Sequence, residues 1–236
     1  MSLDKRKCDP ELGLRVQKYL ESIGMDTPTK PDQVHISGTV GEYRPLSVKE
    51  RIAQIETHMK DIMTVLGLDL SDDSMCDTPN RVAKMYVAEL FYGLDTDTFP
   101  KCTVVDNKMQ YDEMVMEKSI NVTSFCEHHF QPITGSATIA YIPNEKVLGL
   151  SKLNRVTDYF CRRPQVQERL TGQIFHALQF ILETENVAVL IDAEHGCVKN
   201  RGIQDYHSHT VTSKLGGAFK DDPATRAEFM SLAKGA

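Results

Sequence analysis

The spacing of apolar residues changes period twice along this chain, and that change restricts the fold more than any other feature. Over Val48, Ile52, Ile55, Met59, Ile62 and Leu66 the apolar positions recur every three or four residues, the stripe of an amphipathic helix. Ser47 and Glu50 make a capping box in front of it, and Gly67 is its stop. A second helix opens at Thr78-Pro79, carries Val82, Met85, Tyr86 and Leu90, and ends at Gly93. Beyond Phe99-Pro100 the period drops to two, which predicts strands over residues 102–109, 113–123 and 136–142. The helical period then returns for a helix that starts at Ser151 and stops before Arg163-Pro164. Another follows with Val166, Leu170, Ile174, Leu178 and Ile181 on one stripe. Strands at 187–197 and about 207–214 come next, then a short helix from Pro223. Helices, strands, a helix pair and strands again predict an α+β class with a mainly antiparallel sheet.

Ahead of this pattern, Leu12, Leu14, Val16, Tyr19, Leu20 and Ile23 mark a short amphipathic helix that Gly24 can end. Pro28, Pro31, Gly38, Gly41 and Pro45 then interrupt the chain, as in an extended arm. The expected organisation is therefore a helix and arm over 1–46, a helical region over 47–98 and a sheet domain over 99–236. With 236 residues a useful core can be buried without disulfide staples. There is no apolar signal core, so the six cysteines are expected to be reduced thiols in a soluble, cytoplasmic protein. The longest aliphatic run, Val187 to Ile191, is too short to cross a bilayer. Lys and Arg number 27 against 33 Asp and Glu, a net charge of −6. That balance disfavours general nucleic-acid binding, and any polyanion must meet a local basic cluster.

Cys126-Glu127-His128-His129 stands at the end of a predicted strand, before Pro132 and Gly135, which are expected to turn the chain. In a tight turn a cysteine and the residue three positions on can face the same way, so Cys126 and His129 have the spacing of a metal knuckle. Alone, such a pair is more often a surface histidine beside a buried thiol. In the strand at 187–197 the odd positions share a face, with His195 and Cys197 following four core-like residues. Cys197 can then supply a third ligand, with His195 beside the metal. Two thiolates and one imidazole suit zinc and leave a place for water, whose pKa an open site lowers. A closed structural site, with Cys76, Cys102, Cys161, His207 or His209 as fourth ligand, fits the spacing equally.

Ser151, Lys152 and Arg155 open a helix, where free backbone N–H groups and the helix dipole favour anions. Arg81 lies near the start of the Pro79 helix, and Arg201 follows Cys197 in a turn. Together they have the character of a polyphosphate cradle, although each taken singly reads as a solvated charge. No Walker-type loop is present. Glu168, in the first turns of its helix, reads first as a partner of the helix dipole. A carboxylate there could also accept the paired N–H groups of a guanine edge.

The runs SFCEHHFQPITGSATIAYIP, GLSKLNRVTDYFCRRPQVQERLTGQI and AEHGCVKNRGIQD, with DTPNRVAKMYVAELFYGLD before them, resemble GTP cyclohydrolase I of the zinc-dependent, homodecameric type. The resemblance extends from about residue 47 to the C-terminus. It implies a tunnelling fold, in which antiparallel sheets of several subunits join edge to edge with helices outside and active sites between subunits. By position it puts the zinc ligands at Cys126, His129 and Cys197, and the proton donors and acceptors at His128 and His195. The triphosphate contacts fall on Ser151, Lys152, Arg155 and Arg201, with Arg81 reaching the same phosphates, and the guanine readers on Gln167 and Glu168. The implied reaction is hydrolysis of GTP at C8 with zinc-activated water, giving formate and 7,8-dihydroneopterin triphosphate in pterin and tetrahydrofolate biosynthesis. Other pterin or deazapurine enzymes of that fold are disfavoured: a pyruvoyl-tetrahydropterin synthase-like lyase binds zinc mainly through histidines, and a nitrile reductase lacks this ligand set. A structural zinc module has no use for His128 and His195 beside the metal.

Overall fold

The computed structural model describes residues 7–25, 29 and 46–234. The arm expected up to residue 46 therefore lies almost wholly outside the described residues. The helices are α1 (Pro10–Ser22), α2 (Val48–Val65), α3 (Thr78–Met85), α4 (Leu150–Cys161), α5 (Gln167–Leu182), α6 (Gly196–Lys199), α7 (Ala218–Asp221) and α8 (Pro223–Lys234). The strands are β1 (Val104–Asp106), β2 (Val115–Cys126), β3 (Pro132–Tyr141), β4 (Lys146–Leu148), β5 (Pro164–Gln165), β6 (Val187–His195) and β7 (Thr210–Leu215). Residues 46–94 belong to one compact unit, and α1 with residues 95–234 to another.

In the first unit the capping box forms. Ser47 Oγ accepts from the Glu50 N–H at 3.3 Å, and the Glu50 carboxylate accepts from the Ser47 N–H at 2.9 Å. Asn80 Nδ2 donates to Glu56 Oε2 at 2.6 Å and ties α3 to α2. The helix begun at Thr78 does not run unbroken to Gly93: after Met85 it widens into a π-turn over Tyr86–Leu90.

The second unit is built on a five-stranded sheet in the order β5-β2-β3-β6-β7. All its pairings are antiparallel except the short parallel contact of β5 with β2, so the class is α+β with a mixed, mainly antiparallel sheet. The alternation expected of β6 holds: Val187, Val189, Ile191 and Ala193 are buried together. They share one core with Leu153, Val156 and Phe160 of α4 and Leu170, Ile174 and Leu178 of α5, so the helix pair covers that face. Val16 and Leu20 of α1 reach the same core, and Tyr19 stacks on Phe180 with ring centroids 5.1 Å apart. On the opposite face Ala140 and Ala188 pack with Phe219 and Phe229, from α7 and α8. No helix among the described residues is long and apolar enough to cross a membrane.

Two expectations are corrected. Pro132 and Gly135 do not turn the chain; both lie within β3, and residues 127–131 make the turn. Gly135 is required there by close strand approach, because a Cβ would stand 2.1 Å from the Asp192 carbonyl oxygen of β6. Strand β6 ends at His195, and Cys197 lies on the helical turn α6. At Gly196 the chain passes tightly over Pro132, which a Cβ would meet at 2.9 Å. Strands β4 and β5, of three and two residues, have no readable period and went unanticipated.

Candidate functional site

Pairing in the sheet collects the chemistry-bearing residues at one end. Cys126 is the last residue of β2 and pairs with Gln165 of β5, which leads directly into α5. Ile133 at the start of β3 pairs with His195 at the end of β6. The turn out of β2 closes on itself: the Phe130 N–H donates to the Cys126 carbonyl, and the Cys126 N–H donates to the Gln131 carbonyl, both at 2.8 Å. Phe130 adopts φ 51° to complete it. This closure brings His129 back over Cys126.

Cys126, His129 and Cys197 converge, with one ligand atom from each lying within 4.8 Å of the others. Ligands around one tetrahedral cation with bonds of about 2.0–2.3 Å stand about 3.3–3.8 Å apart, so the three atoms are near enough to share an ion with little movement. Among the described residues no fourth His, Cys, Asp or Glu joins them, so the closed four-ligand alternative finds no support. None of the cysteines among the described residues is assigned a disulfide. Burial pushes Cys102 and Cys161 up to about 12, which makes them inert packing thiols. Burial, then the neighbouring Cys126, also raises Cys197; its thiolate therefore needs a cation to hold it. The donor set fits a soft or borderline metal ion.

His128 lies beside this group, and His195 stands two residues before Cys197 in the chain. His128 is exposed, with Nδ1 3.9 Å from Cys126 Sγ and Nε2 3.8 Å from a Glu127 carboxylate oxygen. His195 is half-buried, and burial lowers its pKa while the Glu168 carboxylate pulls it back up. Glu168 and His195 thus feel one another's charge. Glu168 is exposed and, with Val166, Arg169, Thr171 and Thr212, lines a cavity of about 510 Å³. Gln167 is placed otherwise. It is buried, with Oε1 2.7 Å from His195 Nε2 and its amide nitrogen facing β6 and β7.

The basic residues come from three elements. Ser151 and Lys152 occupy the first turn of α4, capped by Gly149 without a side-chain bond, and Arg155 is one turn on. Arg201 Nη1 donates to His129 Nε2 at 2.9 Å. Arg81 lies in the other unit, on α3, exposed and 3.6 Å from Asp77. One feature carries no local sequence signal: Arg169 pairs with both carboxylate oxygens of Glu127. These residues are 42 positions apart, and only the β5 contact, where the Glu127 N–H donates to the Gln165 carbonyl at 3.0 Å, brings them together.

The sequence profile of the GTP cyclohydrolase I family matches residues 55–234. The GTP cyclohydrolase 1 of Shewanella sp. (strain ANA-3) is 53% identical over 224 residues, covering 95% of this chain and 98% of that protein. The enzyme of the same name from Shewanella oneidensis is equally similar over the same coverage. That of Shewanella sp. (strain W3-18-1) is 54% identical over 220 residues, covering 93% and 97%. With so much of its length matched and the Cys-His-Cys group assembled, the chain belongs to the GTP cyclohydrolase I family.

Proposed function

We propose that this chain is a GTP cyclohydrolase I that hydrolyses GTP at C8 of the purine, releases formate and forms 7,8-dihydroneopterin triphosphate. The observation that carries this reading is the convergence of Cys126, His129 and Cys197 in a member of that family. We assign the three as ligands of a zinc ion, which when bound supplies a Lewis acid able to bring water close to deprotonation at neutral pH.

The remaining work falls to the chain's own groups. His195 delivers a proton to N7 of the opening ring, and His128, exposed beside Cys126, exchanges protons with solvent as formate leaves. Glu168 accepts the paired N–H groups of the guanine edge, as a carboxylate can. Ser151, Lys152 and Arg155 hold the triphosphate at the α4 N-terminus, where dipole and side chains have one sign; Arg81 is assigned to the same phosphates by resemblance alone. A retained triphosphate fixes the purine in place with binding energy from atoms that do not react.

Arg201 has two partners to choose between. A guanidinium only donates, so its bond uses the one lone pair of a neutral His129. Ligation by His129 excludes that bond, so metal loading releases Arg201 towards the phosphates.

The sheet belongs, in this reading, to a tunnelling-fold catalytic domain over 99–236, closed into a homodecamer by edge pairing, with sites shared between subunits. The outermost strand β7 is largely exposed and, among the described residues, pairs only with β6, an edge that otherwise invites uncontrolled association. Incubating the purified protein with GTP tests the proposal. Formate and a pterin that fluoresces after oxidation are expected together, and both should vanish with a chelator. Neither product from metal-replete protein would refute it.

A further inference from the structure

The side chain of Gln167 is in an arrangement with only one consistent reading. Its amide nitrogen lies 3.2 Å from the Ile191 carbonyl, 2.8 Å from the Thr210 carbonyl and 3.1 Å from Thr212 Oγ1. Backbone carbonyls can only accept, so the NH2 end must face β6 and β7, and the amide cannot be flipped without setting three oxygens against one another. The oxygen end therefore faces His195 Nε2 at 2.7 Å, and an amide oxygen can only accept. Neutral His195 must then carry its proton on Nε2.

We propose that Gln167 is a positioning residue for His195, fixing its Nε2–H tautomer and leaving Nδ1 as the ring atom that takes up a proton from solvent and then passes it to substrate, the ring being neutral before and after. Resting on the function proposed above, this gives Gln167 a role other than reading guanine, which the adjacent Glu168 performs. The geometry supports the separation. Gln167 is 1% exposed, with both ends of its amide bonded inside the protein, whereas Glu168 opens to the cavity. Nδ1 of His195 makes no hydrogen bond among the described residues. The tether also has a rigid anchor: Thr171 Oγ1 lies 2.6 Å from Thr212 Oγ1, and Thr171 donates to the Gln167 carbonyl or shares its proton with Thr212. The start of α5 is thereby locked to β7. A second hydrogen bond that selects the protonated nitrogen is a general means of orienting a working imidazole.

The test begins without substrate, so it can fail independently of the GTP reaction. Metal-loaded full-length protein labelled with 15N-histidine is examined by magic-angle-spinning NMR at about pH 8, where an ordinary imidazole is neutral. The His195 signals are assigned by their loss in a His195→Asn variant. The Nε2–H tautomer is expected; an Nδ1–H tautomer in the natural chain overturns the proposal, whatever any variant does. In Gln167→Met the tautomer should become mixed and kcat should fall about tenfold or more, with KM for GTP changed less than about threefold. A KM that rises with kcat and tautomer untouched would instead make Gln167 a guanine reader and sink the inference.

Discussion

His129 can give its lone pair once, and under the proposed function that limit links the metal to the phosphates. In the natural chain, loading with zinc should tighten the binding of inorganic tripolyphosphate by about tenfold, the scale of one charge-assisted hydrogen bond. Titration calorimetry on loaded and metal-stripped protein measures this. In Arg201→Ala the gain should disappear; a gain that survives would mean the ion itself holds the phosphate. Lys152→Ala should raise KM for GTP about tenfold with kcat within about threefold, because a contact to atoms that do not react is lost equally from ground and transition states. A kcat that falls as far as kcat/KM would place Lys152 in the reacting geometry instead. The meeting of Cys126 and His129 was legible at this scale from spacing and residue type, because they need only a turn to meet; Cys197 joins them from a helical turn and not from the strand expected. The Gln167–His195 and Arg169–Glu127 contacts were not legible. They join residues 28 and 42 positions apart, and nothing local marks one as the partner of the other.

Helix α5 shows what an element's periodicity conveys and what it hides. Its stripe of Leu170, Ile174, Leu178 and Ile181 is buried as the spacing predicts, but the same helix carries His176 half-buried, with Nδ1 lacking a hydrogen-bond partner. Burial lowers the His176 pKa, and Lys214 on β7 lowers it further, against raising contributions from Gln179 and Glu185. The unfolded chain therefore takes up this proton at a higher pH than the folded one. Stability contributed by neutral His176 is present above the ordinary histidine value near 6.5 and is lost as pH falls below it, towards the folded value. The urea midpoint should drop through that window in the natural chain and drop less in His176→Gln; parallel curves would contradict this. Elements of ten or more residues could be read because several turns or alternations repeat the signal. β4 and β5 could not, being shorter than two periods, and β6 read two residues too long because the tight passage of Gly196 over Pro132 is a tertiary constraint.

At the scale of the whole molecule, apolar side chains and a strand edge stand exposed among the described residues. Val48, Ile62, Val65 and Leu66 stand exposed on or just after α2 within its own unit, and β7 is an open sheet edge in the other. Under the proposed decameric arrangement, specific activity should fall on dilution in step with the loss of the large species in sedimentation. An isolated monomer with full activity would contradict shared sites. Whole-chain organisation was only partly legible: the α+β class follows from the order of periods, whereas a union of copies has no signature along one chain beyond strands that need a neighbour. The central claim is that two sulfurs and one imidazole hold the ion on which ring opening depends. Formate release by Cys197→Ala, in protein shown by elemental analysis to lack bound metal and by circular dichroism to be folded, tests it most directly. The expected result is no formate above the uncatalysed background. Turnover of GTP to formate by that metal-free protein would contradict the account.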